Sequence, residues 1–233
     1  MFCAVPCPVK IWDEKARPRM ISCLPLLGLV IGGLWVLIAW GMEVLHFPAF
    51  LRAALMALCP WALSGCMHLD GYLDCCDAIF SRRDLARRQE ILKDPHSGSF
   101  AVVGMAVLAL VSFALWLDAG VPNFWALWLL PVAVRSASAI GVDVMKPLGH
   151  SQYAHGYEHK GVPVLPVVCL LAAVIPPIVW CGGAGFAPLV GVLGYTVCVR
   201  YGAKQLGGVS GDVSGFAITL GEVCGIAVLA FVA

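Results

Sequence analysis

Residues 21–41 read ISCLPLLGLVIGGLWVLIAWG and contain no charged side chain. About 20 consecutive apolar residues are enough for a helix to cross the hydrocarbon core of a bilayer. The stretch therefore predicts a transmembrane helix. A second stretch of the same kind, at 99–118, carries a single charged side chain, Asp118, at its very end. Together the two stretches predict an integral membrane protein with several spans.

The composition of the whole chain agrees with this prediction. Of its 233 residues, 61% are hydrophobic and only 12% are charged. An ordinary soluble domain is about half apolar and about a quarter charged. A chain of this length cannot build a core large enough to bury so much apolar surface in water, so lipid must solvate part of it. The formal net charge of +1 gives no argument for nucleic-acid binding, which usually requires a strongly basic surface.

Seven stretches are apolar and long enough to span, at 21–41, 48–67, 99–118, 123–142, 162–181, 184–201 and 215–233. Cytoplasmic loops carry the excess of lysine and arginine in such proteins. Of the 15 basic residues, all except Arg52 and Arg135 lie in the N-terminal arm or in the loops after the second, fourth and sixth spans. This alternation predicts an all-α membrane bundle of about seven transmembrane helices, forming a single domain over residues 1–233. It also predicts a cytoplasmic N-terminus and polar loops that face the cytoplasm from the inner (plasma) membrane.

The most informative polar stretch is HLDGYLDCCD at 68–77. Asp70, Asp74 and Asp77 are spaced i, i+4 and i+7, so they share one face of a helix. Carboxylates held so close together repel one another, and a divalent cation removes that repulsion. Oxygen ligands with room for water and phosphate are typical of Mg²⁺ or Mn²⁺ sites. The spacing therefore predicts a site for one of these divalent cations, with Asp94 as a further candidate ligand. The structural alternative is a solvated helix end.

The basic residues that follow are candidates for binding a polyanionic substrate. The segment RRQEILKD at 87–94 predicts a short helix that ends at Pro95. Arg88 and Lys93 lie on it, and such side chains match phosphate oxygens. Ion pairs at the protein surface are the alternative explanation for some of the charged side chains in this segment. Arg135, inside the fourth span, is interpreted either as a phosphate contact or as a side chain that extends to the membrane surface.

A glycine-rich turn precedes the last span, with the sequence GGVSGD at 207–212. A turn of this kind at a helix start presents free N–H groups to anions. The structural alternative is a flexible loop in which Asp212 or Ser214 caps the helix. Glu222 lies two turns into the following helix, and an ionisable group at that depth needs a partner or a polar cavity. We take four residues here as candidates for substrate binding: Gly208, Gly211, Asp212 and Glu222.

Taken together, these motifs resemble the cobalamin synthase family. Four elements carry the resemblance and occur in the family order over nearly the whole chain. They are PLLGLVIG at 25–32, HLDG followed by two spaced aspartates at 68–77, RQEILKD at 88–94, and GGVSGD at 207–212 followed by Glu222. The chain departs from the family pattern at Ala78, where glycine is usual, and at Pro95-His96, where Ser-Arg is usual. Residues 145–160 also fit the family poorly.

The resemblance implies an Mg²⁺-dependent membrane enzyme of the last steps of coenzyme B12 assembly. Such an enzyme transfers the adenosylcobinamide phosphate group from adenosylcobinamide-GDP to α-ribazole or α-ribazole 5′-phosphate. It releases GMP and forms adenosylcobalamin or its 5′-phosphate. On this interpretation Asp74 and Asp77 are catalytic, and Asp77 is the base that accepts the proton of the ribose hydroxyl. The sequence leaves the oligomeric state open, including a homo-oligomer.

Three other functions compete with this interpretation. A CDP-alcohol phosphotransferase of phospholipid synthesis also uses aspartates on membrane helices, but the residues AIFS at 78–81 lack the continuation of its motif. A cation transporter would use the acidic cluster as its ion path. Its acidic residues would be expected midway through several spans, and no internal repeat of the transporter kind is visible. A scaffold that anchors other enzymes would not need three aspartates on one face.

Overall fold

The computed structural model describes residues 17–149 and 163–232, which are helical throughout apart from short connections. This confirms the predicted all-α class. The helices are α1 (Arg17–Ser22), α2 (Leu24–Val44), α3 (Ala49–Leu63), α4 (Met67–Phe80), α5 (Leu85–Ile91), α6 (Ser99–Ala119), α7 (Phe124–Val144), α8 (Val164–Trp180), a 3₁₀ helix (Gly182–Phe186), α9 (Ala187–Leu206) and α10 (Gly211–Phe231).

Five helical segments in the described residues are long and apolar enough to cross a membrane. They are α2, α6, α7, the 3₁₀ helix continued by α9, and α10. The pair formed by α3 and α4 adds a sixth if it counts as one broken span. The predicted span at 162–181 corresponds to α8, which has 17 residues and lies at the short end of the spanning range. The prediction of a cytoplasmic N-terminus concerns residues 1–16, which lie outside the described part of the chain.

The chain turns sharply between α3 and α4, whose axes differ by 93°. Pro60 lies within α3 and its missing N–H weakens the last turn of that helix. Gly65 and Cys66 then both adopt the left-handed backbone conformation, with φ of 64° and 60°. The sequence prediction ended the second span at residue 67 and did not foresee this turn. As a result α4, which carries the aspartates, continues inside the bundle.

Helix α10 lies at the centre of the bundle and contacts α9, α4, α6 and α7. About two thirds of its spanning window, 67%, is buried, compared with 28% for the peripheral helix α6. Small residues let α9 and α10 approach closely, since a side chain on Gly221 would come within 2.8 Å of the Gly191 carbonyl oxygen. Large apolar side chains on α6, such as Leu110 at 70% exposure, face outward as lipid contact requires.

Candidate active site

Helix α4 lies in backbone contact with the first turn of α10. A Cβ atom on Gly71 would come within 2.7 Å of the Asp212 Cα atom. The rings of Tyr72 and Phe216 stack with their centroids 5.8 Å apart, one turn further into the bundle. The absence of a side chain at Gly71 thus makes room for the neighbouring helix α10. This contact brings the aspartates of α4 alongside Asp212.

Three carboxylates meet at this contact, and we call Asp70, Asp74 and Asp212 the acidic cluster. Asp74 lies within electrostatic range of Asp70, Asp212 and also Asp77. Asp70 is exposed, whereas Asp74 and Asp212 are half-buried. Within the described residues, no ion pair joins a member of the cluster to a basic side chain. The cluster therefore concentrates negative charge that the described protein does not neutralise.

Asp77 has a different environment from the other aspartates of α4. It is only 8% exposed, and its two carboxylate oxygens accept hydrogen bonds from the backbone N–H groups of Gly98, at 2.5 Å, and Ala101, at 2.9 Å. These are the orphan N–H groups at the start of α6, so Asp77 caps that helix. Both carboxylate oxygens of Asp77 therefore hold the start of α6 against α4. The predicted roles as metal ligand and as base would each require one of these oxygens.

The predicted ligand Asp94 lies on an exposed turn. Its Oδ1 atom accepts a hydrogen bond from the His96 backbone N–H at 3.0 Å and lies 2.8 Å from His96 Nδ1. Both hydrogen bonds lower the pKa of Asp94, and the one from the His96 backbone has the larger effect. The charges that influence Asp94 are those of His96 and Arg87, not those of the acidic cluster. The structure therefore does not bring Asp94 together with the other predicted ligands.

Arg88 connects α5 to the end of α9. Its guanidinium donates hydrogen bonds to the backbone carbonyl of Gln205, at 3.3 Å, and to the Gln205 side-chain oxygen. The neighbouring Gln89 side chain donates to the Leu206 carbonyl at 2.8 Å. The last carbonyls of a helix have no partner within the helix, so both side chains cap α9. Arg88 is engaged in this contact, whereas Lys93 is exposed on the surface.

The glycine-rich turn between α9 and α10 is a structured connection. Gly207, with φ of 92°, ends α9 in the left-handed conformation that favours glycine. A Cβ atom on Gly208 would come within 2.6 Å of the Leu148 backbone nitrogen, so its backbone is packed against the segment that follows α7. Ser210, and not Asp212 or Ser214, caps α10, because its hydroxyl accepts from the Val213 N–H at 3.2 Å. Gly211, a predicted anion-binding residue, is the exposed first residue of α10.

Arg135 and Glu222 lie inside the bundle and bind each other. Arg135 Nη1 is 2.5 Å from Glu222 Oε1, and the two residues are 0% and 5% exposed. Arg135 is thus the partner that a carboxylate as deeply buried as that of Glu222 requires. The guanidinium neither extends to the surface nor reaches solvent, where a substrate phosphate would bind. Neither of the two predicted substrate-binding residues is therefore accessible in this arrangement.

His68 belongs to the same buried region, and the sequence analysis gave it no role of its own. It is 8% exposed and lies within electrostatic range of Arg135. Its backbone carbonyl accepts a hydrogen bond from the Thr219 hydroxyl at 3.2 Å, which is a further link between α4 and α10. Its position two residues before Asp70 was the only signal in the sequence. That signal did not show that its side chain points into the bundle.

Comparison with known proteins decides the assignment to a family. The family described as CobS, cobalamin-5-phosphate synthase, matches residues 1–230 of this chain. The chain belongs to the cobalamin-5-phosphate synthase family. This confirms the resemblance that the four sequence motifs indicated. The match extends into the last turn of α10, so the departures at Ala78 and Pro95-His96 lie within a match over nearly the whole chain.

Curated relatives of this synthase-family chain carry one name, adenosylcobinamide-GDP ribazoletransferase. The protein of Clostridium botulinum (strain Alaska E43 / Type E3) is 33% identical, over 97% of this chain and 92% of its own length. That of Clostridium perfringens (strain 13 / Type A) is 31% identical, over 100% of this chain and 95% of its own length. That of Lachnoclostridium phytofermentans is 32% identical, over 98% and 90% respectively. No solved structure matches the chain.

Proposed function

We propose that this chain is an adenosylcobinamide-GDP ribazoletransferase, as its relatives are named. It transfers the adenosylcobinamide phosphate group to α-ribazole or α-ribazole 5′-phosphate and releases GMP, in the final steps of coenzyme B12 synthesis. Family membership over residues 1–230 supports the reaction. The observation that carries the placement of the site is the acidic cluster, where Gly71 brings the aspartates of two helices together at their solvent-exposed end.

The acidic cluster fits a magnesium ion by its donor chemistry. In the described residues, no three His, Cys, Asp or Glu side chains are arranged to hold a metal ion by themselves. Mg²⁺ usually binds one or two carboxylates together with water and substrate phosphate, so a complete protein cage is not required. One or two of Asp70, Asp74 and Asp212 would hold it together with water and the substrate phosphate, and all the donors would be oxygen atoms. When bound, Mg²⁺ supplies positive charge to the pyrophosphate linkage that is broken.

The reaction requires a group that accepts the proton of the attacking ribose hydroxyl. As the oxygen–phosphorus bond forms and the pyrophosphate linkage breaks, the hydroxyl proton passes to a carboxylate and GMP leaves. Both Asp77 oxygens cap α6, whereas Asp74 is half-buried in the cluster and makes no such hydrogen bonds with the described residues. We therefore assign the role of base to Asp74 and a positioning role to Asp77.

We propose that the cluster faces the cytoplasm from the cell membrane. The C-terminal end of α4 leads directly into the basic segment 82–93, and an excess of arginine and lysine marks cytoplasmic loops. Several apolar helices support a multi-pass membrane protein, and their outward-facing side chains support direct contact with lipid. Substrates made in the cytoplasm would then reach the cluster without crossing the membrane.

The test is turnover by the purified full-length protein with adenosylcobinamide-GDP, α-ribazole and Mg²⁺. We expect release of GMP and formation of adenosylcobalamin, and a loss of at least about 100-fold for Asp74→Asn. The matched control is Asp118→Asn, which removes an exposed carboxylate at the C-terminal end of α6. Near-normal turnover by Asp74→Asn would remove this residue from the mechanism. Release of CMP from a CDP-alcohol substrate, or cation flux without nucleotide, would refute the assignment.

A further inference from the structure

A second charged region lies outside the acidic cluster, at the junction of α4, α5 and α6. A cavity of about 610 Å³ opens there, and its lining combines basic, acidic and apolar side chains. The lining residues are Ser81, Arg83, Asp84, Arg87, Ile91 and Phe100. It includes no member of the acidic cluster and neither Arg88 nor Lys93. The reaction proposed above therefore gives this cavity no role.

Two arginines and one aspartate line the cavity, which gives its lining a net positive charge. Within the described residues, the exposed side chains of Arg82 and Arg83 have no hydrogen-bond or ion-pair partner. The acidic side chains nearby are already engaged: Asp84 accepts from the Arg87 N–H at 2.9 Å, and Glu90 pairs with the Arg87 guanidinium at 2.6 Å. The cavity therefore suits an anion, and guanidinium groups match the geometry of a phosphate.

The side chains around the cavity are of the kinds expected at the depth of lipid headgroups. Phe80 and Phe100 are 47% and 43% exposed and form an edge-to-face pair with centroids 6.5 Å apart. Less than one turn further into α6, Val102 and Val103 are 67% and 58% exposed, as expected where a spanning helix meets acyl chains. An occupant of the cavity thus contacts the unpaired Arg83 and an exposed aromatic ring at once.

We propose that this cavity binds the headgroup phosphate of an anionic phospholipid. Arg83 contacts the phosphate directly, and Arg82 adds charge nearby. Arg87 contacts it by exchanging its exposed ion pair with Glu90, which contributes little to stability, for the phosphate. The adjoining phenylalanines pack against the glycerol and the upper acyl chain. A soluble anion would use only the arginines, whereas a phospholipid also uses the apolar surface, and this favours the lipid. Basic pockets between membrane helices are a recognised class of site for such headgroups.

The test measures which lipids the full-length protein retains. The protein is reconstituted in nanodiscs of equal parts phosphatidylglycerol and phosphatidylcholine, and the lipids that stay bound after release are counted by native mass spectrometry. We expect phosphatidylglycerol to dominate for the wild type. For Arg83→Gln/Arg87→Gln we expect its affinity to fall roughly 30-fold, because each cationic side chain near an anionic lipid contributes about a factor of five.

The matched control is Arg200→Gln/Lys204→Gln, which removes two exposed positive charges from the C-terminal half of α9. We expect this variant to retain phosphatidylglycerol as the wild type does. Equal losses in both variants would show attraction to general surface charge and overturn the proposal. Displacement of the lipid by inorganic phosphate or by GMP would also overturn it, because the cavity would then belong to a soluble ligand. The melting temperatures check that both variants fold.

Discussion

Replacing Gly71 with alanine tests whether the α4–α10 contact builds the active site. The new methyl group would lie 2.7 Å from the Asp212 Cα atom and 2.9 Å from its carbonyl oxygen. Both are backbone atoms, so no side-chain rotation can relieve the clash. Carbon atoms pack comfortably at about 3.5–4.0 Å, so α4 and α10 must separate by about 1 Å. Asp70 and Asp74 then move away from Asp212 by a similar distance.

The expected effects on stability and on turnover differ greatly in size. Overpacking costs about 1–3 kcal/mol, and the higher helix propensity of alanine offsets up to about 1 kcal/mol of that. The net loss of about 1 kcal/mol lowers the melting temperature by about 2–4 °C. A misplacement of about 1 Å among catalytic groups can reduce turnover about 100-fold. Gly71→Ala should therefore remain folded and lose most of its activity.

The assay compares GMP release and thermal unfolding in detergent for Gly71→Ala and for Gly41→Ala. Gly41 lies within α2, and an added Cβ atom there meets nothing within 4 Å. This control should keep full turnover and gain up to about 1 kcal/mol of stability from helix propensity. Wild-type turnover by Gly71→Ala would refute the argument that the close approach of these two helices sets the geometry of the site.

Three further predictions follow from the contacts. Glu222→Met or Arg135→Met alone should lower the unfolding free energy by about 3–5 kcal/mol, because each leaves a buried charge without its partner. The double variant should recover most of this loss, because it removes both charges. Wild-type stability in either single variant would contradict this. Asp77→Ala removes the cap of α6 and should lower the unfolding free energy by about 0.5–2 kcal/mol. Asp77→Asn should keep substantial GMP release, because Asp77 is not the base in the proposed reaction. An inactive Asn variant would restore Asp77 as the base. A chelator should abolish GMP release and added Mg²⁺ should restore it, and full activity in chelator would exclude the magnesium proposal.

The sequence predicted those features that depend on neighbouring residues. The run at 21–41 became α2 and the run at 99–118 became α6, because apolar length alone determines a spanning helix. The spacing of Asp70, Asp74 and Asp77 correctly indicated one helical element. It could not show which neighbouring element each carboxylate meets. Asp77 meets the start of α6 and Asp70 meets α10, and that difference comes from tertiary packing.

Apart from the turn between α3 and α4, the features that the sequence could not predict join distant parts of the chain. Arg135 and Glu222 are 87 positions apart, and nothing in their local context indicates the ion pair. Arg88 and Gln205 are 117 positions apart, so the cap on α9 was equally invisible. Arg135, Glu222 and Arg88 had each been interpreted as a phosphate or substrate contact, because an isolated charged side chain in a membrane protein suggests function. In the structure all three have partners within the fold, and their roles in substrate binding stay predictions.

The two acidic residues of α10, Asp212 and Glu222, lie in opposite electrostatic environments. At Glu222, deep in the bundle, the fold supplies a guanidinium 2.5 Å away and the carboxylate is neutralised within the protein. At Asp212, ten positions earlier on the same helix, two more aspartates converge, and the described residues supply no cationic partner. Arginines are plentiful in the adjoining segment 82–88, yet in the structure none pairs with the cluster. The fold neutralises the buried Glu222 but leaves three carboxylates together, one exposed and two half-buried, without a cationic partner among the described residues. That arrangement offers negative charge to a ligand, as the proposed binding of a cation and then a pyrophosphate requires.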